Sequence, residues 1–170
     1  MFKKYVLAVA AGVLFAQPCV YAQDAKSDMQ GHWGIEGSVV TTGAIGVNLV
    51  RYEHAYEIGA GIGGSINNSS SITNVFTVTL FGGLRNYLAE NTVFAYGLDF
   101  GTKFGRDSGA TINSAFSTGP FVSIEQYLTP HFMASVWINP YYYDYEKKAG
   151  VGKTTNRFLS AGGVGFSYNF

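Results

Sequence analysis

The sequence predicts an all-β protein: an eight-stranded antiparallel up-and-down transmembrane β-barrel, preceded by a cleavable signal segment. Three observations predict it. Apolar and polar residues alternate with period two through most of the chain, and no window sustains a 3.6-residue apolar period. One face of that alternation is bulky and apolar, while the other is small, glycine-rich and charged. Charged residues make up only 13% of the 170, against about 25% in a soluble domain. With 22 Gly, 13 Phe and 12 Tyr, the chain is too apolar and aromatic to be disordered. No run reaches the ~18 apolar residues of a membrane helix. The 11 basic and 11 acidic residues balance, which leaves no electrostatic footprint of a nucleic-acid binder.

The first segment, 1–22, reads as an export signal. Lys3 and Lys4 give a positive start, 5–15 is an apolar run, and Val20-Tyr21-Ala22 offers small residues at the positions a signal peptidase reads. Pro18 stands before Cys19 where a lipoprotein signal wants a small residue. Cleavage after Ala22 removes Lys3, Lys4 and the single cysteine, so 9 basic and 11 acidic residues remain, net −2. Disulfides and thiol chemistry are then excluded from the mature chain. Residues 23–30 are expected as a short periplasmic segment and 31–170 as the barrel.

Strands are expected near 32–40, 44–52, 56–66, 75–88, 93–105, 116–129, 132–146 and 157–170. Strand 157–170 alternates most cleanly: Phe158, Val164, Phe166, Tyr168 and Phe170 fall on one face, Gly163, Gly165, Ser167 and Asn169 on the other. The connections at 53–55, 89–92 and 130–131 are tight. Those at 67–74, 106–115 and 147–156 are longer and polar, and the first, 41–43, is short. Short turns at one end and longer loops at the other are the pattern of an outer-membrane barrel. An even strand number puts both termini on the short-turn, periplasmic side.

The charges decide between a membrane barrel and a soluble one. The small face carries Glu36, Glu57, Arg85, Asp99, Lys103, Glu125 and Arg157, while the bulky face is almost free of charge. Seven charges facing a dry core are prohibitive. Facing one another in the lumen of a small barrel they pair as an interior polar network. Hydrocarbon outside requires every backbone group to be satisfied, and a closed sheet does that.

Tyr52, Tyr56, Tyr87, Tyr127 and Phe132 near the short turns, with Phe104, Phe116, Tyr141, Tyr142 and Tyr143 near the loops, are expected as two interfacial girdles. Alternation directs Phe81, Phe121, Tyr127, Trp137, Tyr141 and Tyr143 inward and Tyr142 outward. Eight strands enclose a space that side chains just fill. A filled, non-conducting interior is the expectation.

The export signal, the eight alternating segments and the terminal Gly165-Phe166-Ser167-Tyr168-Asn169-Phe170 together resemble the small Gram-negative outer-membrane β-barrel superfamily. That superfamily includes the OmpA transmembrane domain, OmpX and the opacity-type proteins. The resemblance implies localisation in the cell outer membrane. It also implies that Phe166, Tyr168 and Phe170 form the signal read by the barrel-assembly machinery, with periplasmic chaperones as further partners in biogenesis. The peptidoglycan-binding domain that follows the barrel in full-length OmpA is not expected.

Signals of chemistry are sparse. Gly59-Ala60-Gly61-Ile62-Gly63-Gly64 fits a dinucleotide fingerprint in letters, but it lies in an alternating strand rather than before a helix. There is no Gly-x-Ser-x-Gly elbow and no His-Glu-x-x-His pair. His32, His54 and His131 fall near short turns without a carboxylate at ligand spacing. Lipid A deacylases of this membrane carry a His-x-Ser pair on one strand, and His131-Phe132-Met133 departs from it. No catalytic residue, cofactor or metal ligand is assigned. The expected role is structural or surface-interacting, in adhesion or envelope integrity. The alternatives are a narrow channel for small solutes and a lipid-modifying enzyme. Lys147, Lys148 and Lys153, with Arg106, are the candidate surface-loop residues for lipopolysaccharide phosphates or a host or surface polyanion. Outer-membrane lipid is the surrounding partner, and nucleic acid is not a partner.

Overall fold

A computed structural model of the chain describes residues 31–40, 44–67, 73–107 and 109–170. Segments 1–22 and 23–30, and with them the expected signal, lie outside the described residues. The described chain forms eight strands: β1 His32–Val40, β2 Ile45–Tyr52, β3 Tyr56–Asn67, β4 Thr73–Ala89, β5 Thr92–Asp107, β6 Ala110–Thr129, β7 Phe132–Lys148 and β8 Val151–Asn169. Each pairs antiparallel with the next, and β8 returns to β1, closing the barrel. The closing seam sets Ile35 opposite Tyr168 and Gly37 opposite Phe166, and runs from Gly34 to Val40. Below it, Trp33 and Phe170 exchange backbone hydrogen bonds of 3.3 and 2.8 Å.

The pleat sorts the side chains as the alternation requires. Leu98 is 51% exposed and Phe166 54%, and Ile35, Val47, Leu49, Ile58, Leu80 and Phe100 point outward with them. A soluble protein rarely exposes an apolar band of this extent. Around a closed antiparallel barrel, it is the lipid-facing surface of a transmembrane barrel. Facing inward are Val50, Tyr52, Val93, Tyr127 and Met133, which form the buried core at the short-turn end, with Phe81 and Tyr87 packed on it.

Inward glycines serve that packing. Gly59 lies opposite Phe81, and a Cβ at Gly59 would come within 2.6 Å of the ring. Gly163 lies opposite Trp137 in the same way, at 2.9 Å. Both of these inward rings thus rest against a neighbouring glycine. The glycine-rich run 59–64 is part of β3, an extended strand rather than a phosphate-binding turn.

Two of the expected long loops are absent as loops. Segments 106–115 and 147–156 are mostly strand: β5 runs to Asp107, β6 starts at Ala110, β7 runs to Lys148 and β8 starts at Val151. Thr111, Ile112, Val151, Thr154 and Thr155 favour extended backbone, and glycine closes each tip. Ala149 and Gly150 both have positive φ, 47° and 85°, as a two-residue primed hairpin turn requires. Gly109 has φ 80° at the other tip.

The wall is therefore lopsided. β1 and β2 have 9 and 8 residues, whereas β6, β7 and β8 have 20, 17 and 19. On the outer side a sheet made of the upper parts of β5 to β8 rises beyond β1 and β2. Pairing of β8 with β1 stops at Gly163, so among the described residues no strand covers the β1-side edge of β8 above it.

A further departure concerns β7. Pairing with β6 skips from Thr118↔Tyr143 to Val122↔Ile138, and that with β8 shifts between Asn139 and Tyr141. Pro120 and Pro140 lie in this gap, where a missing backbone donor interrupts the ladder. The segment 139–142 is one residue longer than 119–121 opposite it, a bulge that reverses the alternation. Above it Tyr142, Asp144 and Glu146 line the lumen. Tyr141 turns outward against Phe158, ring centroids 5.3 Å apart. The expected inward Tyr141 and Tyr143 and outward Tyr142 are thus exchanged. The lower girdle also changes: Tyr52, Tyr87 and Tyr127 belong to the interior, while Tyr56 and Phe132 remain outside.

Candidate functional site

The lumen has two stories, one above the other. In the lower, short-turn half, Arg85 reaches across from β4. Its Nη2 donates to Glu125 Oε2 at 2.7 Å and to the Tyr127 hydroxyl. Nη1 donates to the Glu53 carbonyl at 3.1 Å, and Nε faces Glu57 Oε2 at 3.6 Å. The guanidinium lies 5.0 Å from the Tyr52 ring centroid. The side chains of Arg85, Glu57 and Glu125 are 0%, 5% and 4% exposed. Below them the Tyr52 hydroxyl donates to Ser167 Oγ at 3.4 Å, and Ser167 donates to Asn169 Oδ1 at 3.0 Å. With the apolar core around it, this layer closes the barrel at that end.

Above the layer lies a cavity of about 450 Å³. Glu36 accepts a hydrogen bond from Asn48 Nδ2 at 3.0 Å. Asp99 accepts one from Asn139 Nδ2 at 2.7 Å, and that amide also donates to the Pro120 carbonyl at 3.0 Å. Lys103 pairs with Asp144 at 2.9 Å. Near the mouth, Lys148 pairs with Asp107 and, at 3.0 Å, with Glu146. Partial burial works against the charge of Lys148, but the hydrogen bonds to Asp107 and Glu146 outweigh it and hold its pKa above the usual lysine value. The interior is thus filled in its lower half and hollow in its upper half.

Of the seven residues expected as an interior network, the structure brings Arg85, Glu57 and Glu125 together. Glu36 and Asp99 sit higher, each held by an amide, and Lys103 pairs with a residue outside the expected set. Arg157 lines the cavity, opposite Tyr142 in register. Asp144 and Glu146 escaped sequence reasoning because the bulge at Pro140 sets their direction; Asn139, in phase with the inward Trp137, carries no charge to single it out. Phe166, Tyr168 and Phe170 all face outward; Phe166 stacks near Phe132, centroids 6.3 Å apart. Lys147, Lys148 and Lys153 lie on strands rather than in a loop. Lys148 turns into the mouth, and Lys153 is opposite Glu146. Lys147 and Lys153 are exposed. The histidines stay apart from this cavity's lining: His54 stacks on Tyr87 at 5.0 Å, and His131 Nδ1 contacts the Asn169 carbonyl at 3.1 Å. Among the described residues no three metal-ligating side chains gather.

No family model matches the chain, and no curated protein matches it. Solved structures do. Neisserial surface protein A is similar with a TM-score of 0.49 at 11% identity, over 83% of this chain and 95% of that one. The crystal structure of Ail, the attachment invasion locus protein of Yersinia pestis, gives 0.45 at 17%, over 83% and 99%. The N-terminal β-barrel domain of Pseudomonas aeruginosa OprF gives 0.45 at 15%, over 83% and 98%. The closed eight-strand barrel with its apolar exterior is the architecture of the small outer-membrane barrels.

Proposed function

We propose that the protein resides in the outer membrane and acts at the cell surface through the raised sheet of β5 to β8, as an interaction module rather than a pore or an enzyme. One observation carries this reading: the uncovered edge of β8. From Val151 to Leu159 its residues are exposed almost throughout, with Phe158 at 75%. A strand edge with free backbone groups is a template for another extended chain. The cations Lys147 and Lys153 near the tip suit a partner or lipopolysaccharide phosphate bearing negative charge. The closed lower layer speaks against a steady solute path. Planar-bilayer recording of purified protein is expected to give no stable conductance steps.

The test is removal of the raised hairpin, closing β7 to β8 with a short Asn-Gly turn above Pro140. Outer-membrane fractions of these cells should still contain a barrel that shifts on boiling. Adhesion of the cells to surfaces and host monolayers should fall to that of cells lacking the protein. Unchanged adhesion would overturn the reading.

A further inference from the structure

The cavity in the upper lumen has no part in the surface role, and its lining is more acidic than basic, seven carboxylates against Lys103 and an exposed Arg157. Arg85 is engaged by Glu57 and Glu125, Lys103 by Asp144, and Lys148 by Asp107 and Glu146. Among the described residues, Glu36 and Asp99 have no Lys, Arg or His within 4.0 Å. Their amide partners Asn48 and Asn139 orient the carboxylates without neutralising them.

A second observation points to an occupant. Ser135 is 5% exposed, lines the same cavity, and its hydroxyl makes no hydrogen bond of good geometry. It lies beside the Glu36 carboxylate: a Cβ on Gly165 would come within 2.6 Å of Ser135 Oγ and 3.0 Å of Glu36 Cδ. Oriented carboxylates, with the Ser135 oxygen beside Glu36, accept hydrogen bonds from a donor-rich guest. Phe121, Trp137 and Tyr142 supply apolar ring surface in the same wall. Rings and carboxylates together favour an organic cation, which needs both an apolar wall and a counter-charge. A bare metal ion wants several convergent oxygen ligands, and no such group occurs among the described residues. The volume of about 450 Å³ lies within the ~300–1,000 Å³ of small-molecule sites.

We propose that the upper lumen binds a small organic cation, a primary ammonium on an apolar or aromatic body, with Glu36 and Asp99 as counter-charges and Phe121, Trp137 and Tyr142 as walls. Because the lower layer is closed, the guest enters and leaves by the outer mouth.

The chain has two tryptophans, and Trp33 faces outward at the short-turn end. A Trp33→Phe protein folded in detergent micelles therefore reports on Trp137 alone. Titration with 2-phenylethylammonium should change its emission saturably. The neutral 2-phenylethanol should bind at least tenfold more weakly, and phenylacetate should produce no saturable change. Adding Glu36→Gln and Asp99→Asn should weaken ammonium binding at least tenfold in protein that still shifts on boiling. If that double variant does not fold, Asp99→Asn alone takes its place, with a threefold loss expected. The proposal is overturned by absent saturation, by equal binding of ammonium and alcohol, or by unaltered affinity in the folded variant.

Discussion

The two halves of the lumen carry similar groups in opposite circumstances. In the lower half Arg85 is fully enclosed, with Glu57, Glu125 and the Tyr127 hydroxyl around it. In the upper half Lys103 pairs with Asp144 beside a cavity, and its side chain is 25% exposed. A pair's length tells little about its weight; access to solvent does. An enclosed charge that loses its partner has nowhere to find another. One at the edge of a polar cavity finds water.

The largest expected effect tests this difference directly. Arg85→Ala leaves Glu57 and Glu125 enclosed without their cation and should cost about 3–5 kcal/mol. Urea unfolding of the barrel in lipid vesicles measures it. Converting Arg85→Met together with Glu57→Gln and Glu125→Gln should recover most of that loss, since no uncompensated charge remains. A cost below about 1 kcal/mol for Arg85→Ala would erase the distinction between the halves.

Next comes packing. Gly59→Leu drives a side chain into Phe81 and should cost about 1–3 kcal/mol. Gly37→Leu is its counterpart on the lipid side, where an added Cβ meets nothing within 4 Å, and should stay within about 0.5 kcal/mol of the parent. The same unfolding midpoints compare them. Lys103→Met, in the upper half, leaves Asp144 only 8% exposed but facing the cavity, and should cost about 1–2 kcal/mol, less than Arg85→Ala. Last is Ala149→Asn at the outer tip, the one change expected to stabilise. It relieves a left-handed alanine and should raise the midpoint by an equivalent of about 0.5–1 kcal/mol. That change touches neither half and calibrates the measurement.

Much of the architecture was readable from the sequence because a lipid exterior writes a simple rule. Every second residue must be apolar, and charges must take the other phase. That rule located all eight strands and put Glu36, Glu57, Arg85, Asp99, Lys103 and Glu125 on one side. It failed where strict alternation fails. Pro140 stood in the sequence as a strand breaker, yet its consequence is a change of phase that moves Tyr142, Asp144 and Glu146 inward. The hollow upper half was not readable either. Whether residues fill a cylinder depends on where each ring lies across the lumen, and Phe81 and Trp137 lie against Gly59 and Gly163. The outer tips looked like loops because polar residues dominate there. In water, Thr- and Asn-rich strands are polar on both faces, so composition could not tell one from the other.

The seam between β1 and β8 is the shortest of the barrel's junctions, ending at Val40, while β7 and β8 stay zipped to Lys148 and Val151. Mechanically this is the line along which the cylinder would part under load. Parting there would bring Asn169 and Ser167 into contact with hydrocarbon, so the first and last strands must meet before the wall can sit safely among acyl chains.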